Sequence, residues 1–421
     1  MGEDRRQTGQ RARDAFHAAL LGAVVGAACG GAAAAFLFLL EHATRFREGH
    51  AWIVYLLPLA GLAVGFVYER WGKSIQGGNN LVLDTLHEGA PQIPLRLVPM
   101  VLLGTVLTHL FGASAGREGT AVQMGASLAD GVAHTLRVSA RARRQLLAAG
   151  MAGGFGAVFG TPFAGVVFGM EVVCLGRLER SALVPALVAS LVGDYVTRHL
   201  GIVHTIYPTV AALPLDFIVF GKLAVVGGAM AVTTVAFIEL TRVVKRWSTA
   251  RVARLPLRMF VGGLVVVTLW KAARTDDYLG LGVPTIVRAF SDPNLPWFAF
   301  AAKIIFTSVT LGSGFLGGEV TPLFFVGATL GNVLARAIGL PIDLGAAVGL
   351  AAVFGAAANT PVALTIMAVE LLGVSVVPHV AIVCAVAYFL SGHRGIYTAQ
   401  RIARRKYGAA LARPVPLRDY R

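Results

Sequence analysis

The chain has 421 residues, of which 56% are hydrophobic and only 14% are charged, and its formal net charge is +15. A water-soluble protein of this length needs far more charged side chains to cover its surface. Many stretches are continuously apolar over a length comparable with the roughly 20 residues that span a bilayer. The sequence therefore predicts an all-α polytopic membrane protein, because the strands of a membrane barrel would alternate polar and apolar residues.

The basic residues lie in the gaps between the apolar stretches, as topology signals do, rather than on a surface that binds nucleic acid. Basic gaps at 70–73, 177–180 and 245–258 are predicted to face the cytoplasm, whereas the mixed-sign gap 41–50 is predicted to lie outside. Both termini are also basic and are predicted to be cytoplasmic, the N-terminus through Arg5, Arg6, Arg11 and Arg13. Membrane lipid is the expected surrounding, and no nucleic-acid partner is expected.

The cysteines and the N-terminal segment indicate neither a metal centre nor secretion. Cys29, Cys174 and Cys384 lie far apart in apolar sequence without metal-ligand spacing, so no metal or cofactor is expected. The first apolar stretch is too long for a signal-peptide core and has no clear cleavage site, which predicts a retained first helix.

Apolar stretches of helical length follow one another along the chain. The predicted helices are 17–41, 51–69, 93–112, 117–134, 142–154, 160–174, 182–199, 215–245, 256–273, 296–311, 319–337, 344–356, 361–373 and 376–391. Several are too short to cross a bilayer, and short glycine-interrupted segments are typical of half-helices that meet inside the membrane. A polar and basic helix is predicted over about 395–408, facing the pore, followed by a short cytoplasmic tail at 409–421 and no soluble regulatory domain.

The two halves of the chain repeat. Residues 150–171 align without a gap on residues 349–370, with nine of 22 positions identical. The least common matches are a Thr-Pro pair and a trailing glutamate: Thr161 with Thr360, Pro162 with Pro361, and Glu171 with Glu370. A second match aligns 125–128 with 327–330. We therefore predict two inverted repeats, about 17–199 and 215–391, within one transmembrane domain at 1–408. Such repeats place a substrate site near the bilayer midplane, where half-helix N-termini converge.

The motif Gly116-Arg117-Glu118-Gly119-Thr120 precedes the matched segments of the first repeat. A charge at membrane depth is costly and usually functional. The first turn of a helix leaves N–H groups unpaired and carries a partial positive charge, so it can bind an anion that glycines allow to approach. A carboxylate in that turn can take the anion's place and leave when protonated, which would couple proton movement to anion movement. The alternative is a plain helix cap.

The motif Gly-Gly-Glu-Val-Thr-Pro at 317–322 precedes the matched segments of the second repeat. Pro322 fits the first turn of a helix, where its missing N–H costs nothing. Val320 and Thr321 would offer backbone amides to the same point, and the Thr321 hydroxyl can also donate. Glu319 is then a second carboxylate near the first, and its alternative interpretation is again a helix cap.

Two amides and one phenol are further candidates. Asn79 and Asn80 follow a glycine pair and precede the helical segment 81–87, so they could cap that helix or line an anion path. Tyr397 could direct its hydroxyl at the same anion, or it could anchor the chain at the membrane interface.

In order and spacing, these motifs resemble the signature loops of the CLC superfamily of chloride channels and proton-coupled antiporters, over about residues 15–408. The resemblance implies a fold of inverted repeats with many tilted and broken helices. It implies that Glu118 is the external gate and that Tyr397 is the anion-coordinating tyrosine. The homodimer that we expect would have one pathway in each subunit.

Four departures from the common CLC pattern resemble the branch of the family that exchanges fluoride for protons. The second signature ends in Thr120 instead of proline, and Asn79 stands in place of the chloride-coordinating serine. Glu319 occurs where the third signature is normally apolar. Val172 replaces the internal proton-transfer glutamate of chloride/proton antiporters. The resemblance thus implies that Glu319, with Thr321 beside it, supplies the second proton-handling carboxylate.

The resulting prediction is an inner-membrane fluoride/proton antiporter that exports cytoplasmic fluoride and confers fluoride resistance. It assigns proton handling to Glu118, Glu319 and Thr321. The predicted anion-binding residues are Asn79, Asn80, Gly116, Val320, Thr321 and Tyr397. A chloride/proton antiporter or a passive chloride channel remains the alternative, since chloride could use the same donors. An enzyme is not expected, because no nucleophile–base pair or metal set lies near the glutamates, and a receptor or scaffold would carry a soluble domain.

Overall fold

The computed structural model describes residues 2–89, 91–211 and 213–420, with the backbone alone at 2–9 and 11. The side chains of Arg5, Arg6 and Arg11, on which part of the predicted topology depends, lie outside the described residues.

The described residues form sixteen α-helices, which confirms the predicted all-α class. The first eight are α1 (Gly2–Gly49), α2 (Leu57–Trp71), α3 (Asn79–Glu88), α4 (Leu97–Leu110), α5 (Glu118–Thr135), α6 (Ala140–Phe159), α7 (Pro162–Glu171) and α8 (Leu183–His199). The others are α9 (Phe217–Arg251), α10 (Leu255–Ala273), α11 (Val283–Arg288), α12 (Ala299–Gly312), α13 (Val320–Ile338), α14 (Ile342–Ala358), α15 (Pro361–Leu372) and α16 (Val377–Leu390). Short 3-10 helices lie at Ala51–Leu56, Lys73–Ile75, Arg180–Ala182, Val374–Val376 and Leu417–Asp419.

Five helical stretches in the described part of the chain are long and apolar enough to cross a membrane. They are Ala12–Gly49, Ala51–Trp71, Phe217–Arg251, Leu255–Ala273 and Val320–Ile338. The last of these, α13, is mostly covered by other helices, so it belongs to the centre of the protein rather than to its lipid-facing surface. Shorter apolar helices of 10–17 residues complete the bundle.

Glycine pairs bring helices into close contact at matching places in the two halves. A side chain on Gly125 of α5 would collide with the carbonyl oxygen of Gly150 in α6, and one on Gly327 of α13 with that of Gly349 in α14. Small residues allow such close approach between membrane helices. These are positions that the sequence alignment pairs, Gly125 with Gly327 and Gly150 with Gly349. The division into two repeats stays a prediction, which this correspondence supports.

The paired glutamates at the ends of the matched segments 150–171 and 349–370 make reciprocal contacts. Glu171, the last residue of α7, accepts a hydrogen bond at Oε2 from the backbone N–H of Ala363 in the first turn of α15, at 2.8 Å. Glu370 of α15 accepts one at Oε2 from Ala164 in the first turn of α7, at 2.7 Å. Each carboxylate therefore satisfies N–H groups that the opposite helix leaves unpaired, and this reciprocal cap ties the two halves together.

The predicted helix over 395–408 is wrong. Strand β2 (Arg401–Arg404) runs parallel to β1 (Cys174–Leu175) and antiparallel to β3 (Ala410–Pro416), within the segment predicted as tail. Ile402 is fully buried in a cluster with Leu175 and Leu417. In β2 the strand conformation is favoured because it pairs with β1 and buries Ile402. In β3 the prolines are incompatible with the interior of a helix.

Candidate functional site

The N-termini of α3, α5 and α13 converge at one place. Gly116 and Gly318 exchange backbone hydrogen bonds, with N···O distances of 2.6 and 2.8 Å. A Cβ placed on Gly119 would lie 3.1 Å from the Cα of Gly318 and 3.2 Å from Nδ2 of Asn79. The three glycine-rich motifs, which are distant in sequence, are thus in contact, and only glycine fits the junction without displacing backbone.

Glu118 does not act as a simple cap of its own helix. Its side chain is 1% exposed, and its carboxylate lies at the N-terminus of α13. Oε1 accepts a hydrogen bond from Oγ1 of Thr321 at 2.5 Å, and Oε2 accepts one from the backbone N–H of Thr321 at 3.2 Å. The guanidinium of Arg117 lies 3.4 Å from Oε1. The carboxylate therefore occupies a place where a small anion would meet the same donors.

Glu319 precedes Val320, the first residue of α13, but its side chain caps nothing. The cap interpretation of Glu319 is therefore wrong. Its side chain is partly exposed to a cavity of about 290 Å³. Among the described residues, no basic group lies within ion-pairing distance of this carboxylate. Glu319 thus forms no close ion pair among the described residues, and Lys245, which lines the same cavity, is the basic residue that acts on it electrostatically.

The same cavity extends from the protein surface to the starts of α3 and α13, at Asn79 and Glu319. It is lined by Asn79, Glu319 and Tyr397, and also by the basic residues Lys245 and Arg258. Lys245 is exposed, whereas Tyr397 is only 3% exposed. The cavity is therefore a path by which a small hydrophilic ion could reach the N-termini of α3 and α13.

The two adjacent asparagines have different environments. Oδ1 of Asn79 is buried and has no hydrogen-bond partner within the described residues, and its Nδ2 faces Gly119. Oδ1 of Asn80 accepts the backbone N–H of Ala399 at 2.9 Å, so Asn80 supports the segment that carries Tyr397. Neither side chain caps α3, whose N-cap is Gly78, so that interpretation is wrong for both.

We expect substitutions of the two asparagines to have opposite effects. Asn80→Ala removes the acceptor of the buried Ala399 N–H, which costs about 1–3 kcal/mol and lowers the unfolding temperature. Asn79→Ala breaks no hydrogen bond among the described residues, so the unfolding temperature should stay unchanged while the rate of anion efflux from proteoliposomes falls. Thermal unfolding and efflux of both purified variants check this expectation. A larger loss of stability in Asn79→Ala than in Asn80→Ala would contradict the assignment.

Tyr397 is buried in the protein rather than exposed at the membrane interface. Its side chain is buried, and its hydroxyl has no partner among the described residues although buried hydroxyls normally have one. Its segment is fixed by the Ile396 N–H, which donates to the Ala357 carbonyl at 2.9 Å, and by the side chain of Gln400. The burial of Tyr397 contradicts the interface-anchor interpretation, and the free hydroxyl is available at the cavity wall.

The structure also contains neighbours that sequence reasoning missed. Thr120 shares a hydrogen bond with Thr105 of α4, with 2.7 Å between the two hydroxyl oxygens. A polar residue in place of proline at 120 was a signal that this position needs a hydrogen-bond partner. Tyr68 of α2 lines the cavity with its hydroxyl buried and unpartnered within the described chain. Nothing in its local sequence distinguishes it from an ordinary helix residue.

Of the predicted site residues, the structure therefore brings together Asn79, Gly116, Glu118, Glu319, Val320, Thr321 and Tyr397. Asn80 lines the same cavity, but its Oδ1 is already engaged by the N–H of Ala399. The assembled groups are backbone amides, one carboxamide, two hydroxyls and two carboxylates. Such a set can strip water from a small anion, since strong donors replace its hydration. It can also hold protons, because either carboxylate is able to carry one.

Comparison with known proteins agrees with this geometry. Residues 60–392 match the family model described as voltage gated chloride channel. A chloride/fluoride channel protein of Pseudomonas syringae pv. tomato is 45% identical over 405 residues, which cover 95% of this chain and 89% of the relative. The crystal structure of a CLC-type fluoride/proton antiporter superposes with a TM-score of 0.89 at 36% identity, covering 92% of this chain and 98% of that one. A slow cyanobacterial Cl⁻/H⁺ antiporter shares the fold, with a TM-score of 0.78 at 19% identity, covering 89% of this chain and 94% of that one.

Proposed function

Because the chain belongs to the voltage-gated chloride channel (CLC) family, we propose that this multi-pass membrane protein exports cytoplasmic fluoride in exchange for protons. One observation carries the proposal. The Glu118 carboxylate receives both the backbone N–H and the hydroxyl of Thr321, so a protonatable group occupies an anion position inside the protein. The described relatives, a chloride/fluoride channel protein and a fluoride/proton antiporter, support the choice of fluoride.

Glu118 is the coupling element in this mechanism. As a carboxylate it holds the donors of Thr321 and blocks the path at the junction of Gly116 and Gly318. Protonation neutralises it, which removes its attraction for the positive end of α13. The neutral side chain then leaves, and fluoride takes the amides of Val320 and Thr321. Return of the ionised Glu118 expels the fluoride. Each cycle thus moves a proton and a fluoride ion in opposite directions across the membrane.

Glu319 is the second proton-handling group in the proposal. It lies one residue before Val320 and faces the cavity that also reaches Asn79 and Tyr397. A proton that Glu118 releases toward this cavity can be taken up by Glu319 before it reaches solution. Glu319 forms no close ion pair or helix cap among the described residues, which supports this role, since a carboxylate in the protein interior is costly unless it is used.

The donor set favours fluoride over larger anions through its strength and close spacing. Fluoride is small and strongly hydrated, so removing its water requires strong donors at short range. The carboxamide of Asn79, the hydroxyl of Thr321 and the phenol of Tyr397 are such donors, and the glycine junction leaves little room. Since chloride could use the same donors, a chloride/proton antiporter or a passive chloride channel is distinguished by measured selectivity.

The cellular setting is part of the same proposal. The protein is a homodimer of the inner membrane with one pathway in each subunit, and both termini are cytoplasmic. The basic residues at 245–258 support this orientation, because such residues concentrate on the cytoplasmic side. Export in this direction would lower cytoplasmic fluoride and confer resistance to it.

Fluoride and chloride efflux measured side by side test the proposed function. Proteoliposomes are loaded with one anion at a time, and an ion-selective electrode and a pH electrode record both fluxes together. We expect fluoride efflux with stoichiometric proton uptake, and chloride efflux at least about tenfold slower, a difference of about 1.4 kcal/mol in barrier. Comparable chloride exchange with protons would support the chloride/proton antiporter instead. Anion efflux without proton uptake would indicate a channel.

A further inference from the structure

The loop that joins α8 to α9 carries two ionisable side chains that the proposed mechanism does not use, His204 and Tyr207. Both are partly buried although neither belongs to a helix. The basic gaps 177–180 and 245–258 lie at the far ends of α8 and α9, so this loop is on the opposite side of the protein from them. In the proposed orientation the loop therefore faces the outside.

His204 is fixed against the last turn of α6 in one protonation pattern. Its Nε2 lies 2.8 Å from the carbonyl oxygen of Ala157, which can only accept a hydrogen bond, so Nε2 carries a hydrogen. The ring packs on Gly160, where a Cβ would lie 2.7 Å from Cγ of His204. In the neutral ring Nδ1 is then the basic nitrogen. This atom is buried and has no hydrogen-bond partner among the described residues, so it is available to take up a proton.

A neighbouring cation on α8 is already neutralised. Nε of Arg198 lies 2.9 Å from both carboxylate oxygens of Asp194, and its Nη2 donates to the carbonyl of Gly160 at 3.0 Å. Arg198 therefore shares the end of α6 with His204, while its charge is compensated by Asp194.

The balance of these surroundings keeps His204 neutral. Burial lowers the pKa of His204 below its ordinary range, and the Ala157 carbonyl partly opposes this effect. Arg198 and Arg117 lower the pKa further, whereas Asp194 raises it. The ring is therefore neutral near neutral pH, and a proton that it takes up is held only weakly.

Tyr207 connects the same loop with Glu118. Both Glu118 and Arg117 act electrostatically on its phenol, and Arg117 also acts on His204. The Tyr207 ring packs against Phe290, with 6.2 Å between the ring centroids. The loop thus places an imidazole and a phenol around Arg117, on the outer side of Glu118.

We propose that His204 exchanges protons between the outer solution and Glu118, with the hydroxyl of Tyr207 as the relay. Nδ1 of the neutral ring first takes a proton from the outer solution. The Nδ1–H bond then breaks as the Tyr207 oxygen accepts this proton and gives its own to a carboxylate oxygen of Glu118. The imidazolium and the carboxylate become a neutral imidazole and a carboxylic acid, and the phenol is regenerated. The inference rests on the proposed function in one respect, since it takes Glu118 to be the group that gains a proton from outside.

A purely structural His204 would only cap α6, and His204→Gln separates the two roles. Glutamine has an NH₂ group that can donate to the Ala157 carbonyl, but it has no nitrogen that takes up a proton. Tyr207→Phe keeps the ring beside Phe290 and removes the hydroxyl. His199→Gln is the matched control, because His199 is an exposed histidine at the end of α8, with its ring stacked on Tyr195.

The measurement is the initial rate of fluoride efflux from proteoliposomes against external pH, with internal pH and internal fluoride fixed. Near neutral external pH we expect His204→Gln and Tyr207→Phe to slow efflux by at least about tenfold, with an unchanged proton-to-fluoride ratio. The difference from wild type should shrink as external pH falls, because free protons then reach Glu118 without the relay. His199→Gln should follow the wild-type profile.

Chemical rescue gives a readout that lost packing would not produce. His204→Ala leaves the space of the ring empty, and imidazole is added at constant pH on both sides of the membrane so that it creates no gradient. Imidazole should restore efflux in His204→Ala, because its imidazolium form donates the missing proton. Wild type and His199→Gln should not respond. Unfolding temperatures establish that the variants are folded.

The same pH series with chloride keeps this inference separate from the proposed function. If wild type moved chloride instead of fluoride, or moved either anion without coupled protons, the proposed function would fail. External protons would still have to reach Glu118 to open its path, so a slowed His204→Gln would support the inference. Identical external-pH profiles for His204→Gln and wild type, with no response of His204→Ala to imidazole, would overturn it. A wild-type profile in Tyr207→Phe beside a slowed His204→Gln would overturn the relay through the phenol.

Discussion

Proteoliposomes containing Glu118→Gln are expected to show no proton uptake with fluoride efflux. Glutamine has nearly the shape of glutamic acid but cannot release a proton. Its NH₂ group would also face the N–H of Thr321, where the carboxylate now accepts a hydrogen bond. Hydrogen bonds to a charged group are worth about 1.5–3 kcal/mol each. The conformation in which side chain 118 bonds to Thr321 should therefore become much less populated. Any fluoride movement that remains should be passive.

The measurement is simultaneous recording of fluoride and pH in the same vesicles. Glu41→Gln is the control, because Glu41 is exposed on α1 and pairs with Arg45 one helical turn away. Exposed pairs of this kind contribute little, typically less than about 1 kcal/mol, so the control should exchange as wild type does. Stoichiometric proton uptake by Glu118→Gln would remove Glu118 from the coupling mechanism.

The interactions of Glu118 show which parts of the site were accessible from sequence. The starts of α5 and α13 were predicted within one residue, because the glycine, glutamate and proline signals that define them are local. The family resemblance and the all-α membrane class are also confirmed, because they depend on short motifs and on continuous apolar stretches that the sequence shows directly. The sequence also predicts that the motif of Glu118 lies near the motif 317–322, which contains its partner Thr321. Its specific bonds to Thr321 required coordinates.

The errors occur where distant residues decide the structure. The sequence of 395–408 alone predicts a polar helix, but Arg401–Arg404 pairs with Cys174–Leu175 and buries Ile402 there. Similarly, nothing local distinguishes Asn79 from Asn80. Both line the cavity, but the Oδ1 of Asn80 accepts the N–H of Ala399, which is remote in sequence, whereas the Oδ1 of Asn79 has no partner among the described residues. Tyr68 was missed because the absence of a hydrogen-bond partner is a property of the assembled fold.

Glu319→Gln is expected to cause a severe loss of coupled exchange without loss of stability. The Glu319 side chain caps no helix and pairs with no base within the described residues, so replacing it by an amide of equal size should leave the unfolding temperature unchanged. Proton transfer from Glu118 toward the cavity should stop, because glutamine cannot accept a proton. Proton-coupled fluoride exchange should therefore fall by at least about tenfold, which corresponds to about 1.4 kcal/mol in the barrier.

Glu370→Gln separates this effect from damage to the fold. Glu370 accepts the N–H groups of Phe163 and Ala164 at 3.0 and 2.7 Å, so an amide in its place leaves one of these donors facing another donor. A buried donor without a partner costs about 1–3 kcal/mol. Glu370→Gln should thus lower the unfolding temperature while keeping the proton-to-fluoride ratio, the reverse of Glu319→Gln. Near-normal turnover in Glu319→Gln would mean that Glu118 exchanges its proton with solution directly and that the second carboxylate is dispensable.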